Sequence, residues 1–376
     1  MSGVYLDYNA TAPVRPVAIE AVADALRAGG NPSSVHAAGR AARARIEAAR
    51  ELVADLVAAT PANVIFTSGG TEANNLAISG AIAAGSRRLI VSAVEHPSVL
   101  EFARASGVAV DTLPVGADGV AEVGWLDGRL NHSEKPFVAL MLANNETGVI
   151  QPVAEAAERI RAAGGWLHVD AVQAAGKLVI EFEALGADTL SISAHKLGGP
   201  QGIGALVASS RATITRRQLG GGQERGYRGG TENVSGIAGF GAAAREAGAE
   251  VAAFQAHAAW RDTATLRLAA AGAVVIGSDA PRLANTLCVS TSGWTSDLQV
   301  IALDLAGVMI SAGAACSSGK VKASAVLTAM GLDSLADGVI RVSGGWASSE
   351  ADWNRFADAW VEAHQRHTAR RRAAAA

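Results

Sequence analysis

Four short stretches hold side chains whose types and positions could do chemistry together. Lys196, in Ser193-Ala194-His195-Lys196-Leu197-Gly198-Gly199, follows an apolar run and precedes a glycine-rich turn. That places it at the C-terminal end of a predicted strand, where α/β sheets carry their ligands. Partial burial there would lower the pKa of a lysine and free its amine for Schiff-base chemistry, although a solvated surface lysine is the plainer alternative. Asp170 closes Trp166-Leu167-His168-Val169, three residues before Gln173. A carboxylate so placed could keep a pyridine nitrogen protonated, or could simply cap the next helix. Phe66-Thr67-Ser68-Gly69-Gly70-Thr71-Glu72 runs from a strand through a Gly-Gly turn into a helix. Amides at a helix start, with the neighbouring Gly70 and Thr71, suit a phosphate. The stretch is neither a Walker loop nor a dinucleotide GxGxxG. His96, in Val94-Glu95-His96-Pro97, could stack on a flat ring and exchange protons near neutral pH, or could be an ordinary hydrogen-bonded histidine.

Each signal is modest alone. Together they supply a Schiff-base lysine, a ring-nitrogen carboxylate, a phosphate cradle and a stacking ring, all at strand ends of one predicted sheet. That is the inventory required by pyridoxal 5'-phosphate.

The elements that must position these residues are legible in outline. Apolar runs at Val64 to Phe66, Leu89 to Val91, Val108 to Val110, Phe137 to Leu142, Trp166 to Val169, Leu190 to Ser193 and Ala205 to Val207 alternate with helical stretches such as Glu72 to Ala84 and Pro152 to Ala163. Continuous rather than alternating runs predict strands covered on both faces, hence an α/β domain with a mostly parallel seven-stranded sheet. Ala37 to Ala59 reads as a long amphipathic helix, with Asn31-Pro32-Ser33-Ser34 as its capping segment. After a glycine-rich loop from Gly220 to Thr231, one long helical stretch is predicted from Asn233 to Ala271. Strands recur near Val274, Leu287, Met309 and Ile340. The division expected is a large domain over 12–250 and a smaller α+β domain made of 1–11 and 251–376. The tail from His367 onward reads as frayed helix or disorder.

Composition narrows the class. The 376 residues are 49% hydrophobic with a net charge of -3, and no apolar run approaches a membrane span. Nothing points to nucleic acid or a membrane as partner. The start Met1-Ser2-Gly3 has no signal-like character, so a cytoplasmic location is expected. The two cysteines differ. Cys288 lies in an apolar strand and reads as core, whereas Cys316 lies among Gly, Ala and Ser, a loop composition that suits an exposed thiol.

At these residues the chain resembles a cysteine desulfurase, of the class V aminotransferase group of fold-type-I pyridoxal-phosphate enzymes. The likeness runs through Tyr5 to Thr11, Gly30 to Ser34, Thr67 to Asn75, Glu95 to Pro97, Asn144 to Gly148, His168 to Gln173, Ser193 to Lys196 and, most diagnostically, Ser311 to Gly319. The resemblance implies that Lys196 holds the cofactor, Asp170 pairs with its ring nitrogen and His96 stacks on the ring. It further implies Asn145 and Gln173 at the ring hydroxyl, and Gly70, Thr71, Ser193 and His195 at the phosphate, helped by Thr231 of a second subunit in a homodimer. Arg341, with Asn145, would bind the substrate carboxylate, a task that suits a planar fork. Cys316 would take sulfur from L-cysteine as a persulfide, leave L-alanine and pass the sulfur to an acceptor protein for iron–sulfur assembly, nitrogenase maturation or tRNA thiolation. The cysteine loop resembles that of the long-loop group, while the short Arg/Ala end leaves the acceptor open. Two rivals stand beside this reading. An aminotransferase or selenocysteine lyase would share the cofactor site without needing Cys316, and a non-catalytic relative would have lost the lysine that is present here.

Overall fold

The computed structural model describes residues 3–130, 135–313 and 324–375. Its strands, in chain order, are β1 (Val4–Tyr5), β2 (Val64–Thr67), β3 (Arg88–Ser92), β4 (Ala109–Leu113), β5 (Phe137–Ala139), β6 (Trp166–Asp170), β7 (Thr189–Ser193), β8 (Gly204–Ala208), β9 (Val274–Val275), β10 (Thr286–Ser290), β11 (Val308–Met309), β12 (Ser311–Ala312) and β13 (Val339–Ser343). Seven of them form one sheet in the order β2-β8-β7-β6-β5-β3-β4. Strands β3 to β7 pair in parallel, and β8 runs antiparallel between β2 and β7. This is the mostly parallel seven-stranded sheet predicted from the continuous apolar runs. Four strands of this sheet are buried throughout: β2, β5, β6 and β7.

The helices Gly70–Ala83 and Val153–Ala162 lie close to their predicted places. A second sheet, in the order β12-β13-β10-β9, is antiparallel throughout, and β1 pairs in parallel with β11. Leu6, Leu287, Ile340 and Val342 pack there against Trp353, Phe356 and Trp360 of the C-terminal helix. Among the described residues no helix is long and apolar enough to cross a membrane.

Several boundaries differ from the sequence reading, each for a local reason. The run Phe137 to Leu142 leaves regular strand after Ala139, yet the amides of Leu140 and Leu142 still bond the carbonyls of His168 and Asp170 at 3.0 and 2.9 Å. The long helix spans Ala37–Asp55 and is capped by His36, whose Nδ1 accepts from the Gly39 amide at 3.3 Å. Asn31 instead folds back on the Ser33 amide at 2.9 Å, making a turn upstream of the helix. The single helix expected from Asn233 to Ala271 is two, Val234–Phe254 and His257–Ala270. The Gln255 side chain at the break donates to the Lys177 carbonyl at 3.0 Å. The tail is not frayed: the helix Glu350–Ala375 continues to the last described residue, and Arg371 and His367 each donate to the Gly293 carbonyl at 3.0 Å.

The glycine-rich loop is fixed by a buried ion pair. Arg50 holds Glu224 through two bonds of 2.8 and 2.9 Å, Glu224 also accepts from the Phe66 amide at 2.9 Å, and the guanidinium lies 4.7 Å from the Phe66 ring centroid. Both partners are nearly inaccessible, with 3% and 4% side-chain exposure. Losing one member strands a buried charge, which costs about 3–5 kcal/mol. Glu224→Ala is therefore expected to lower unfolding stability by about that amount in denaturant titration. Glu101→Ala, which breaks an exposed pair with Arg104, should cost under about 1 kcal/mol. Equal effects of the two would contradict the anchoring role.

Candidate active site

The sequence-predicted residues converge because parallel strands deliver their C-terminal ends to one edge of the sheet. Lys196 sits in the short turn Ala194–Lys196 directly after β7, Asp170 is the last residue of β6, and His96 caps the helix Pro97–Ala105 beyond β3. Gly70 and Thr71 open the helix Gly70–Ala83 beyond β2. Arg341 reaches the same place from β13 of the second sheet. Between them lies a cleft of about 330 Å³, lined by Gly70, Thr71, His96, Asn145, Asp170, Gln173, Ser193, His195, Lys196 and Arg341 among others.

Hydrogen bonds hold these groups in place. Lys196 Nζ donates to the Ala10 carbonyl at 2.8 Å and to the Asn9 carbonyl. Gln173 Nε2 donates to the same Asn9 carbonyl at 2.9 Å, and its Oε1 accepts from Lys177 at 3.0 Å. Asp170 accepts from Asn74 Nδ2 at 2.8 Å and from the Val172 amide at 3.0 Å. His96 Nδ1 lies 2.7 Å from Ser98 Oγ, and His195 Nδ1 lies 3.1 Å from Thr11 Oγ1. Arg341 pairs with Asp7 at 2.8 Å and donates to the Asn145 carbonyl at 3.1 Å. Its buried Nε has no hydrogen-bond partner among the described residues.

Burial sets the electrostatics of the cleft, because removing water penalises whichever form is charged. It pushes His168 and His195 down to about 4, with the Lys196 charge adding to the shift at His195. Burial also lowers His96, and it holds Lys177 well below the usual lysine range with help from Lys196 and Arg341. Glu95 is raised well above the carboxylate range, first by burial and then by the Asp170 charge. Burial raises Glu146 to about 7, although Ser324 Oγ donates to it at 2.5 Å.

These features fit a phosphorylated pyridine aldehyde. The turn at Gly70 leaves a recess that a side chain would close, since a Cβ there would come within 2.8 Å of Val172 Cγ2. A lysine, a carboxylate and an imidazole face the same cleft, and a guanidinium with an unpartnered Nε stands beside them. Two predicted residues are not among them. Thr231 is exposed and does not line this cleft, whereas its neighbours Gly230 and Glu232 line a smaller cavity with Thr67 and Ser68. Cys316 falls outside the described residues. Cys288 is fully buried in β10, as expected of a core residue, and burial raises its thiol far above the ordinary range.

Sequence reasoning gave no role to Asn9, Asn74, Ser98, Lys177 or Asp7, although several lie inside quoted motifs. Asn9 is fully buried within Tyr5 to Thr11, and a polar residue amid such a segment was the available signal.

The sheet order and the strand-end lysine define the class as a fold-type-I transferase. Residues 4–356 match the family described as Aminotransferase class-V. An "IscS-like cysteine desulfurase" of Mycobacterium tuberculosis is 40% identical over 367 residues, covering 93% of each chain. A solved "NifS-like protein" superposes with a TM-score of 0.89 at 33% identity, covering 96% of this chain and 98% of its own. A structure titled "SspA in complex with cysteine" has a TM-score of 0.79 at 30% identity, covering 90% and 98%. The chain belongs to the aminotransferase class-V family and, within it, to the cysteine desulfurases.

Glu146 yields a pH test with a definite sign. Its folded pKa of about 7 lies above the ordinary 4.5, so the folded state binds the proton more tightly. That contribution to stability is complete below about pH 4.5 and disappears as pH rises through about 7. Glu146→Gln, which keeps an acceptor for Ser324 but does not titrate, should therefore become more stable relative to wild type between pH 5 and pH 8. A stability difference that stays flat across that window, followed by thermal unfolding, would refute the assignment.

Proposed function

We propose that this protein removes sulfur from L-cysteine using pyridoxal 5'-phosphate held on Lys196, with Cys316 receiving the sulfur as a persulfide. The observation that carries the reading is the convergence of Lys196, Asp170, His96 and Arg341 on one cleft. When bound, the cofactor supplies an electron sink for bonds broken next to the substrate α-carbon. Asp170 is suited to the ring nitrogen, His96 to the ring face, and Gln173 and Asn145 to the ring hydroxyl. Gly70, Thr71, Ser193 and His195 are suited to the phosphate. Arg341, oriented by Asp7 and the Asn145 carbonyl, would give its remaining N–H groups to a substrate carboxylate. Lys196, the residue that would hold the cofactor, would also be placed to move the α-proton with its amine.

Cys316 completes the chemistry. Its thiolate attacks the substrate sulfur, the carbon–sulfur bond breaks, and a proton replaces sulfur on carbon. Cysteine and a protein thiol thus become alanine and a protein persulfide, with no outside oxidant. The chain has two cysteines, and Cys288 is buried and held as a thiol. That supports Cys316 as the carrier. An acceptor protein, reached from the cytoplasm, would then take the persulfide sulfur. The exposed Thr231, on a loop anchored by Glu224, supports a homodimer in which each subunit completes the phosphate site of the other.

The test incubates protein, pyridoxal phosphate, L-cysteine and a reductant, and quantifies alanine and sulfide. Wild type should release both in equal amounts while Cys316→Ala releases neither, and the active species should sediment as a dimer. A Cys316→Ala variant matching wild type would remove Cys316 from the mechanism, and a fully active monomer would remove the shared site.

A further inference from the structure

Beneath the cleft runs a buried chain of polar contacts whose direction is set at its Asp170 end. Trp166 Nε1 can only donate, and it lies 3.3 Å from Thr189 Oγ1. Thr189 Oγ1, which keeps a second lone pair and its own proton, lies 2.9 Å from His168 Nδ1. At the other end, the Asp170 carboxylate accepts, so Asn74 turns its Nδ2 toward Asp170 at 2.8 Å. Its Oδ1 consequently faces His168 Nε2 at 2.9 Å. The Asp170 end therefore sets the arrangement, in which His168 is neutral, carries its proton on Nε2 and accepts the Thr189 hydroxyl proton at Nδ1. Burial of His168, which pushes it down to about 4, agrees.

The second hydrogen of Asn74 Nδ2 has its own destination. Ser98 Oγ accepts it at 2.9 Å, and the Ser98 hydroxyl lies 2.7 Å from His96 Nδ1. The same His96 nitrogen accepts the Ser98 amide at 3.1 Å. His96 Nδ1 is therefore an acceptor, and its ring proton sits on Nε2. Trp166, Thr189, His168 and Asn74 are all buried, so water cannot repair a wrong orientation. Flipping the Asn74 amide would set its oxygen against Asp170 and its NH2 against the His168 N–H, losing both bonds at once.

We propose that Asn74 is a positioning residue: one amide, oriented by its bond to Asp170, sets the tautomer of His168, aims Asp170 and, through the Ser98 hydroxyl, steadies His96. The claim about tautomers concerns the chain alone, whereas its consequence for cofactor binding rests on the function proposed above.

The test uses full-length protein with 15N-labelled histidine and no cofactor, and reads imidazole tautomers from long-range 15N–1H correlations. His168 and His96 should both carry the proton on Nε2. The same preparation is titrated with pyridoxal phosphate by fluorescence for wild type, Thr189→Val and Ser98→Ala. Thr189→Val keeps the shape and lies outside the cleft; by removing the hydroxyl that donates to His168 Nδ1, it should weaken cofactor binding about two- to tenfold, the worth of one net hydrogen bond. Ser98→Ala should weaken binding by a similar factor if the first variant fails to fold. Nδ1–H on His168 in wild type would overturn the proposal. So would unchanged cofactor affinity in a folded variant whose chain has been cut. Failure of wild type to bind pyridoxal phosphate, with tautomers as stated, would instead count against the function and leave the orientation of Asn74 standing.

Discussion

Asn9 is the point at which the parts of this molecule are held to one another. Its carbonyl accepts from Gln173 and Lys196, its side-chain oxygen from Lys177 at 3.1 Å, and its Nδ2 donates to the Asn145 carbonyl and to Thr286 Oγ1. Its amide donates to Ser343 Oγ at 2.9 Å. Thr286 and Ser343 belong to the second sheet, while Gln173 and Lys196 follow strands of the first. A buried amide with its donors and acceptors all used is costly to misplace, since each orphaned group keeps its full desolvation penalty. The segment from Tyr5 to Thr11 thus closes the cleft from the side that the large sheet leaves open, and Asp7 within it orients Arg341.

The same economy governs the charges. Lys196, Arg341 and Asp170 in the cleft lining, with Lys177, Glu95 and Glu146 buried nearby, could not all be buried as ions. Burial favours the neutral forms of Lys177, His168, His195 and Glu95. Arg341 keeps a close partner in Asp7, and Lys196 is met by two carbonyls. Glu146 ties this cleft to a segment distant in sequence. Its contact with Ser324, the N-cap of the helix Ala325–Ala329, starts one residue from Asn145.

Much of this was legible in the sequence. Continuous apolar runs gave the strands of the large sheet, and the residues that end them gave Asp170 and Lys196. Boundaries were less legible where composition is uniform. The break at Gln255 interrupts an alanine-rich stretch that carries no local stop signal, and it is set by a long-range bond to the Lys177 carbonyl. His36 rather than the Asn31 segment caps the long helix because the chain turns once more before entering it. The ordering of the tail depends on Gly293, far away in sequence. The roles of Asn74 and Ser98 arise only when three strand ends meet, and spacing along the chain cannot reveal that. Cys316 rests on sequence and family membership, being outside the described residues.

The central claim is that the cleft holds pyridoxal phosphate on Lys196. Lys177 is the stringent alternative, because it too is buried, faces Asn9 and is pushed toward its neutral form. Borohydride reduction of the protein saturated with pyridoxal phosphate, followed by peptide mass spectrometry, separates the two directly. The account predicts a pyridoxyl group on the peptide containing Lys196. The same group on Lys177, or on no lysine, would contradict it.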